Sequence, residues 1–295
     1  MSISATAASA EKNCLGESVH IYPYGTEDLK GNVKVLHLIR HAEGHHNVNQ
    51  EYRDIRNLDA RLTLTGIEQC RELSQKIQQA AAAAAAAEPS SPLSDLAGKT
   101  DLIVTSPLTR CIQTTLVALS AVIRERQPPV IAHESIRETV NYNCDRRRSV
   151  TELSREFGTI DFSGIETDHD GVWDAYVERL GGDETWTRHR ESAELHVVAE
   201  RGSQFFQWLQ SRPERHVTVC THSAFLRCIL HYGLGTGVPW QPEQLLDDRN
   251  DNKSVPVVRY CGGDEAANSW LRSDYANCEI RSMIVHFPPK LSAPL

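Results

Sequence analysis

Three stretches of this chain repeat one layout: an apolar run fit for a strand, then reactive side chains, then a helix or loop. They are Leu38-Ile-Arg-His41, Val104-Thr-Ser-Pro-Leu-Thr-Arg110 and Val219-Cys-Thr-His-Ser223. Strands that alternate with helices specify a three-layer α/β sandwich, a mostly parallel central sheet flanked by helices. Such sheets bind ligands beyond the carboxyl ends of their strands. Arg40, His41, Arg110 and His222 are therefore expected to converge there, and Glu138 follows a fourth strand, Val130–Ala132, by a few residues.

The rest of the chain fits that frame. Residues 1–32 are polar without clear period and read as an N-terminal extension. The strand Val33–Ile39 is followed by a long polar loop over 42–61. Thr65-Gly-Ile-Glu68 has capping-box spacing and opens a helix through Leu73 and Ile77. Eight alanines over 80–87 extend that helix until Pro-Ser residues end it, and read as a tolerated surface insertion. Asp101–Thr105 is a strand; Pro107 suits a first helical turn, and apolar positions continue through Ile123. Ser149-x-x-Glu152 is a second capping box. A long amphipathic helix is expected over 187–211, a strand at His216–Thr221, a helix at Ala224–Tyr232 and a last strand at Cys278–Phe287. Residues 233–276 read as irregular. One domain over 33–288 is expected, with an insertion at 139–186 that covers one face and a tail at 289–295.

Composition removes several classes. Forty per cent hydrophobic and 24% charged residues exclude a disordered or collagen-like chain, and 295 residues bury a core without staples. A formal net charge of −8 weighs against nucleic acid as a partner. No run of 18 apolar residues exists, so no membrane-spanning helix is expected, and the N-terminus lacks the regions of a secretory signal. None of the eight cysteines forms a C-x-x-C pair. They read as reduced thiols of an intracellular protein, in the cytoplasm or also the nucleus.

Two arginines and two histidines around one point suit a phosphoryl group. Guanidinium forks match phosphate oxygens. A neutral imidazole is a nucleophile, and neighbouring arginine charges hold its pKa down. A carboxyl group beside phosphate oxygens has its pKa raised and can protonate a leaving oxygen. No single element is specific: Arg-His recurs at Arg188-His189 and Arg215-His216, away from a strand's carboxyl end. The combination carries the weight.

Arg40-His-Ala-Glu-Gly-His-His-Asn47 resembles the R-H-G-x-x-x-x-N signature of the histidine phosphatase superfamily, the phosphoglycerate mutase-like fold. Leu64-Thr65, Ser106-Pro-Leu-x-Arg110, Arg137-Glu138 and Thr221-His-Ser223 resemble its later blocks in family order. The Cys144–Glu152 and Asp161–Asp168 segments look like those of the plant and fungal phosphoglycerate mutase-like proteins. Ala42 stands where the family has glycine. The resemblance implies His41 as phosphorylated nucleophile and Arg40, Arg110 and His222 as the phosphoryl cradle. It implies Asn47 as a substrate or phosphate contact, and Glu138 as general acid and then base. It implies no metal and no cofactor; the partner is a small phosphorylated substrate, with no nucleic acid and no membrane.

The expected activity is phosphomonoester hydrolysis through phosphohistidine. Mutase-type phosphoryl transfer and a non-catalytic binding module on the same fold are the alternatives. A zinc hydrolase using His41, His45 and His46 is disfavoured, because H-E-x-x-H is absent and Gly44 opposes a helix. Arg146, Arg147 and Arg148 stand just before the helix opened by Ser149. They could hold a second anionic group of the substrate, or form a surface patch paired with Glu152 and Glu156.

Overall fold

The computed structural model describes residues 18–48, 50–86, 89–180, 191, 195–231, 234, 256–263 and 265–288. Among these, seven strands form one sheet: β1 Val19–Pro23, β2 Asn32–Arg40, β3 Leu102–Thr105, β4 Val130–Ala132, β5 His216–Thr221, β6 Val258–Tyr260 and β7 Ile280–Phe287. Their order is β4-β3-β5-β2-β7-β1-β6. β7 runs antiparallel to both its neighbours, and the remaining pairs are parallel. This is the mostly parallel sheet the alternating pattern predicts.

Side chains alternate across the strands, so each strand feeds two cores. Leu36 and Leu38 of β2, Leu102 and Val104 of β3, and Val217 and Val219 of β5 face one side. Helices α7 (Leu195–Ser211), α8 (Ser223–His231) and α9 (Glu265–Arg272) cover that side with Phe205, Phe206, Phe225 and Leu271. Ile39, Ile103 and Cys220 face the other side. There α1 (Leu64–Ala85), α2 (Pro92–Lys99), α3 (Thr109–Ala118), α4 (Ser120–Arg126) and α5 (Val150–Glu156) bury Leu73, Ile77, Leu96, Ile112, Val122 and Leu153. Helix α6 (Gly171–Leu180) sits apart with Trp173 and Tyr176 packed near Val140.

Several expectations change. The stretch 1–32 is not wholly an extension: β1 lies inside the sheet, pairing with β6 and β7. Its polar neighbours hide it, because only Val19 and Ile21 alternate inward. Helix α1 starts two residues early, with Thr63 as its cap: its hydroxyl accepts from the Gly66 N–H at 3.0 Å. The alanine tract carries α1 to Ala85. Pro107 precedes α3 rather than opening it, and Leu119 breaks the following helical run in two. The long helix is described only from Leu195; residues 187–190 and 192–194 lie outside the described residues. Within 233–276 the irregular reading fails at β6 and α9, two short elements that propensity alone does not announce. Residues 1–17, 181–186, most of 233–255 and the tail 289–295 lie outside the described residues.

Candidate active site

Sheet register assembles the site. Arg40 at the end of β2 pairs with Thr221 at the end of β5, and Thr105 of β3 pairs with Cys220. The next residues out are therefore His41, His222 and Ser106, abreast at one edge. The His41 N–H donates to the Thr221 carbonyl at 2.9 Å, and the Ser106 N–H to the Cys220 carbonyl at 2.9 Å. The His41 and His222 rings lie 5.1 Å apart between centroids. Glu138 arrives from β4 by a short turn that the Thr221 hydroxyl anchors, donating to the Ile136 carbonyl at 2.6 Å.

His41 is 2% exposed, and its Nδ1 lies 2.7 Å from the Ala42 carbonyl. A carbonyl only accepts, so the proton sits on Nδ1 and the lone pair on Nε2. Burial holds the pKa of His41 well below the ordinary value, helped by Arg110, His46 and Arg40. Ala42 tolerates its departure from glycine: it is fully buried in the core, and its N–H donates to Thr114 Oγ1 at 3.0 Å.

The supporting cast comes from three further segments. His222 is fully buried; its Nε2 lies 2.7 Å from Ser106 Oγ, and burial with Arg110 keeps it neutral too. Arg110, also fully buried, donates to the Cys144 carbonyl at 2.6 Å and to Asp145 Oδ1 at 3.1 Å. Arg40 is half-buried and donates to the Tyr275 carbonyl at 2.7 Å. Glu138 caps the start of α8: Oε1 accepts from the Phe225 N–H at 3.0 Å and Oε2 from the Ala224 N–H at 3.3 Å. Burial raises its pKa and Asp145 adds to that, while Arg110 opposes them.

The remaining expected residues have partners of their own. Asn47 folds the signature loop, its Oδ1 accepting from the Gly44 N–H at 3.0 Å. Arg147 is 3% exposed and donates to the carbonyls of Arg148, Asp168, Thr167 and His169. That makes it a structural strut, because its terminal fork is taken up by these four backbone carbonyls. Arg148 bonds Asp59 at 3.0 Å, the Thr109 hydroxyl at 2.8 Å and Glu156 at 2.9 Å. It lines a polar cavity of about 450 Å³ with His45 and Arg61. Arg146 lies 5.6 Å from the centre of the Trp173 ring. The described part of 139–180 thus folds against the sheet end that carries Arg110 and Arg137, with Asp170 gripping Arg137 at 2.7 and 2.8 Å.

Sequence reasoning gave three residues no part in this site, His46 having been weighed only as a zinc ligand. Ser106 orients His222, Asp145 pairs with Arg110, and His46 lies 5.5 Å from the His41 ring. Ser106 and Asp145 stood within quoted blocks, but their partners are 116 and 35 residues away. Among the described residues, no group of three or more His, Cys, Asp or Glu is placed to hold a metal ion, and no helix is long and apolar enough to cross a membrane.

The family model described as the histidine phosphatase superfamily, branch 1, matches residues 93–272. This chain belongs to that superfamily. The match spans Arg110, Glu138 and His222 and begins beyond Arg40-His41. An Arabidopsis thaliana phosphoglycerate mutase-like protein is 29% identical over 300 residues, covering 91% of this chain and 88% of the relative. A second from that plant, phosphoglycerate mutase-like protein 1, is 28% identical over 302 residues, covering 92% and 85%. Among solved structures, a chain titled mycobacterial hydrolase 1 is similar at 14% identity and a TM-score of 0.44, covering 88% of this chain and all of that one.

Proposed function

We propose that this protein is a phosphomonoesterase that hydrolyses a small phosphorylated substrate through phospho-His41. The tautomer of His41 carries the reading: with Nδ1–H committed to the Ala42 carbonyl, Nε2 keeps a lone pair in a ring that burial and two arginines hold neutral. Nε2 attacks phosphorus, and the bond from phosphorus to the leaving oxygen breaks. Arg40, Arg110 and His222 receive the phosphoryl oxygens. The Asn47 carboxamide oxygen is taken by Gly44, so its NH2 is the group left for a phosphoryl oxygen. Glu138, kept protonated more readily by burial, gives its proton to the leaving oxygen. It then takes a proton from the water that attacks phosphorus and frees His41.

The test is the intermediate itself. Rapid quenching at alkaline pH followed by mass spectrometry is expected to find acid-labile phosphate on His41. His41→Ala is expected to lose at least about 10³-fold in kcat, as loss of a covalent nucleophile commonly does. Turnover near the parent rate in that variant, or label on another residue, would overturn the assignment.

A further inference from the structure

Arg201 of α7 does not line the cluster of arginines and histidines, yet its guanidinium is spent on the backbone around Glu138. Its Nη1 donates to the Ser135 carbonyl at 2.8 Å and the Arg137 carbonyl at 3.2 Å. Its Nη2 lies 3.5 Å from the Glu138 carbonyl oxygen. The same guanidinium is forked onto Glu191, Nε to Oε1 at 3.0 Å and Nη2 to Oε2 at 2.8 Å. Glu191 in turn accepts from the Val140 N–H at 2.8 Å. Arginine and glutamate together thus hold the chain on both sides of residue 138. The pair is nearly closed to solvent, with side-chain exposures of 11% and 1%.

A second contact reaches the acid from its other end. Arg201 lies 5.5 Å from the centre of the Phe225 ring, and the Phe225 N–H is one of the donors to the Glu138 carboxylate. A single guanidinium therefore fixes both the backbone that carries Glu138 and the helix start that receives its side chain. A buried ion pair costs desolvation that a packed apolar pair would avoid, so its retention here calls for a geometric return. A general acid within a short turn has that need, because an error of about 1 Å in its reach costs rate.

We propose that Arg201, braced by Glu191, is a positioning residue that holds Glu138 at the leaving-group oxygen. This rests on Glu138 being the acid of the proposed phosphatase reaction. Removing the clamp is then felt where protonation of the leaving group limits the rate, and little where it does not. Removing Glu138 first should make the clamp irrelevant.

The experiment measures kcat/KM, which reports the steps up to departure of the leaving group and not the later water attack that both substrates share, for glycerol 2-phosphate, a poor alkoxide leaving group, and p-nitrophenyl phosphate, a good one. Arg201→Met is expected to lose about 10-fold or more in kcat/KM on glycerol 2-phosphate and under about 3-fold on p-nitrophenyl phosphate. In a Glu138→Gln background the same change is expected to add less than about 2-fold, since residues acting as one unit are non-additive. Arg201→Lys keeps the charge but not the fork and should fall between. If Arg201→Met fails to fold, as judged by thermal unfolding, Arg201→Lys and Glu191→Gln carry the same comparison. Equal losses on both substrates, or losses that multiply in the double variant, overturn the clamp and leave the acid assignment standing. Equal losses on both substrates for Glu138→Gln alone overturn the acid assignment and the clamp together.

Discussion

At the scale of single residues, the two members of the Arg-Arg pair 147–148 have different duties. Arg147 is sunk among four carbonyl oxygens, with Glu134 3.3 Å from its Nε. Arg147→Ala would leave those acceptors buried without donors, which costs roughly 3 kcal/mol or more. Urea unfolding is expected to register that loss, while KM for any phosphorylated substrate stays within about 2-fold. A raised KM with unchanged stability would return Arg147 to the substrate. Arg148 shares its charge between Asp59 and Glu156, the second of which is the partner named by the surface-pairing reading of the sequence. The same scale explains why Ser106 escaped notice. A serine two residues before a helix cap is unremarkable until the sheet register sets it against His222.

At the scale of elements, the start of α1 and the signature loop are one unit. Thr63 caps α1 and its hydroxyl donates to Glu43 at 2.6 Å, while the Thr63 N–H donates to the Glu43 carbonyl at 3.0 Å. The loop lies so close to the helix that a Cβ on Gly66 would run into the Glu43 carbonyl oxygen. Gly66→Ala gains helix propensity of about 1 kcal/mol. The forced shift of backbone costs more, so a net destabilisation of about 1–3 kcal/mol is expected. Because the displaced loop carries His41, kcat should fall as well. A variant more stable than the parent would show that helix and loop can part without cost. The capping box at Thr65-x-x-Glu68 was legible as spacing, but the real cap lies two residues earlier. The close approach of Glu43 makes Thr63 the cap in place of Thr65, two residues on.

At the scale of the whole molecule, burial of neutral histidines sets the response to acid. His37 is fully buried, 2.7 Å from Ser282 Oγ, and burial pulls its pKa to about 3. His133 is pulled to about 4 by the same cause. In the unfolded chain both return to about 6.5, so the unfolded state binds more protons below that pH. Stability is therefore full above about pH 6.5 and falls as the pH drops toward the folded values. His37 alone would contribute a loss of about 2–3 kcal/mol between pH 6.5 and 4.5. Glu138, raised by burial, works in the opposite sense, and the buried histidines outnumber it. Asp170, lowered to about 2 beside Arg137, adds its own loss only at more acidic pH. Urea midpoints are expected to decline from pH 7 to pH 5, and His37→Asn to decline less steeply. A flat profile over that range would contradict the assignment of these histidines as buried and neutral.

The α/β class, the strands that end in Arg40, Thr105 and Thr221, and the meeting of His41, Arg110, Glu138 and His222 at one end of the sheet were readable from the chain. Each is written in local order: an apolar run, then a reactive residue, then a helix or loop. That order is covalent, and the right-handed crossover rules leave few ways to arrange it. The partners of those residues were not readable. Strand β1 is too short and too polar at its edges to stand out, and finds its place only because β7 reverses direction and offers it an edge. The Ser106 bond to His222 and the bonds of Arg201 and Glu191 around Glu138 depend on distances between segments far apart in sequence. Side-chain hydrogen bonds act over about 3 Å and take their partners from whatever packing brings near. Tertiary structure alone decides which polar group meets which.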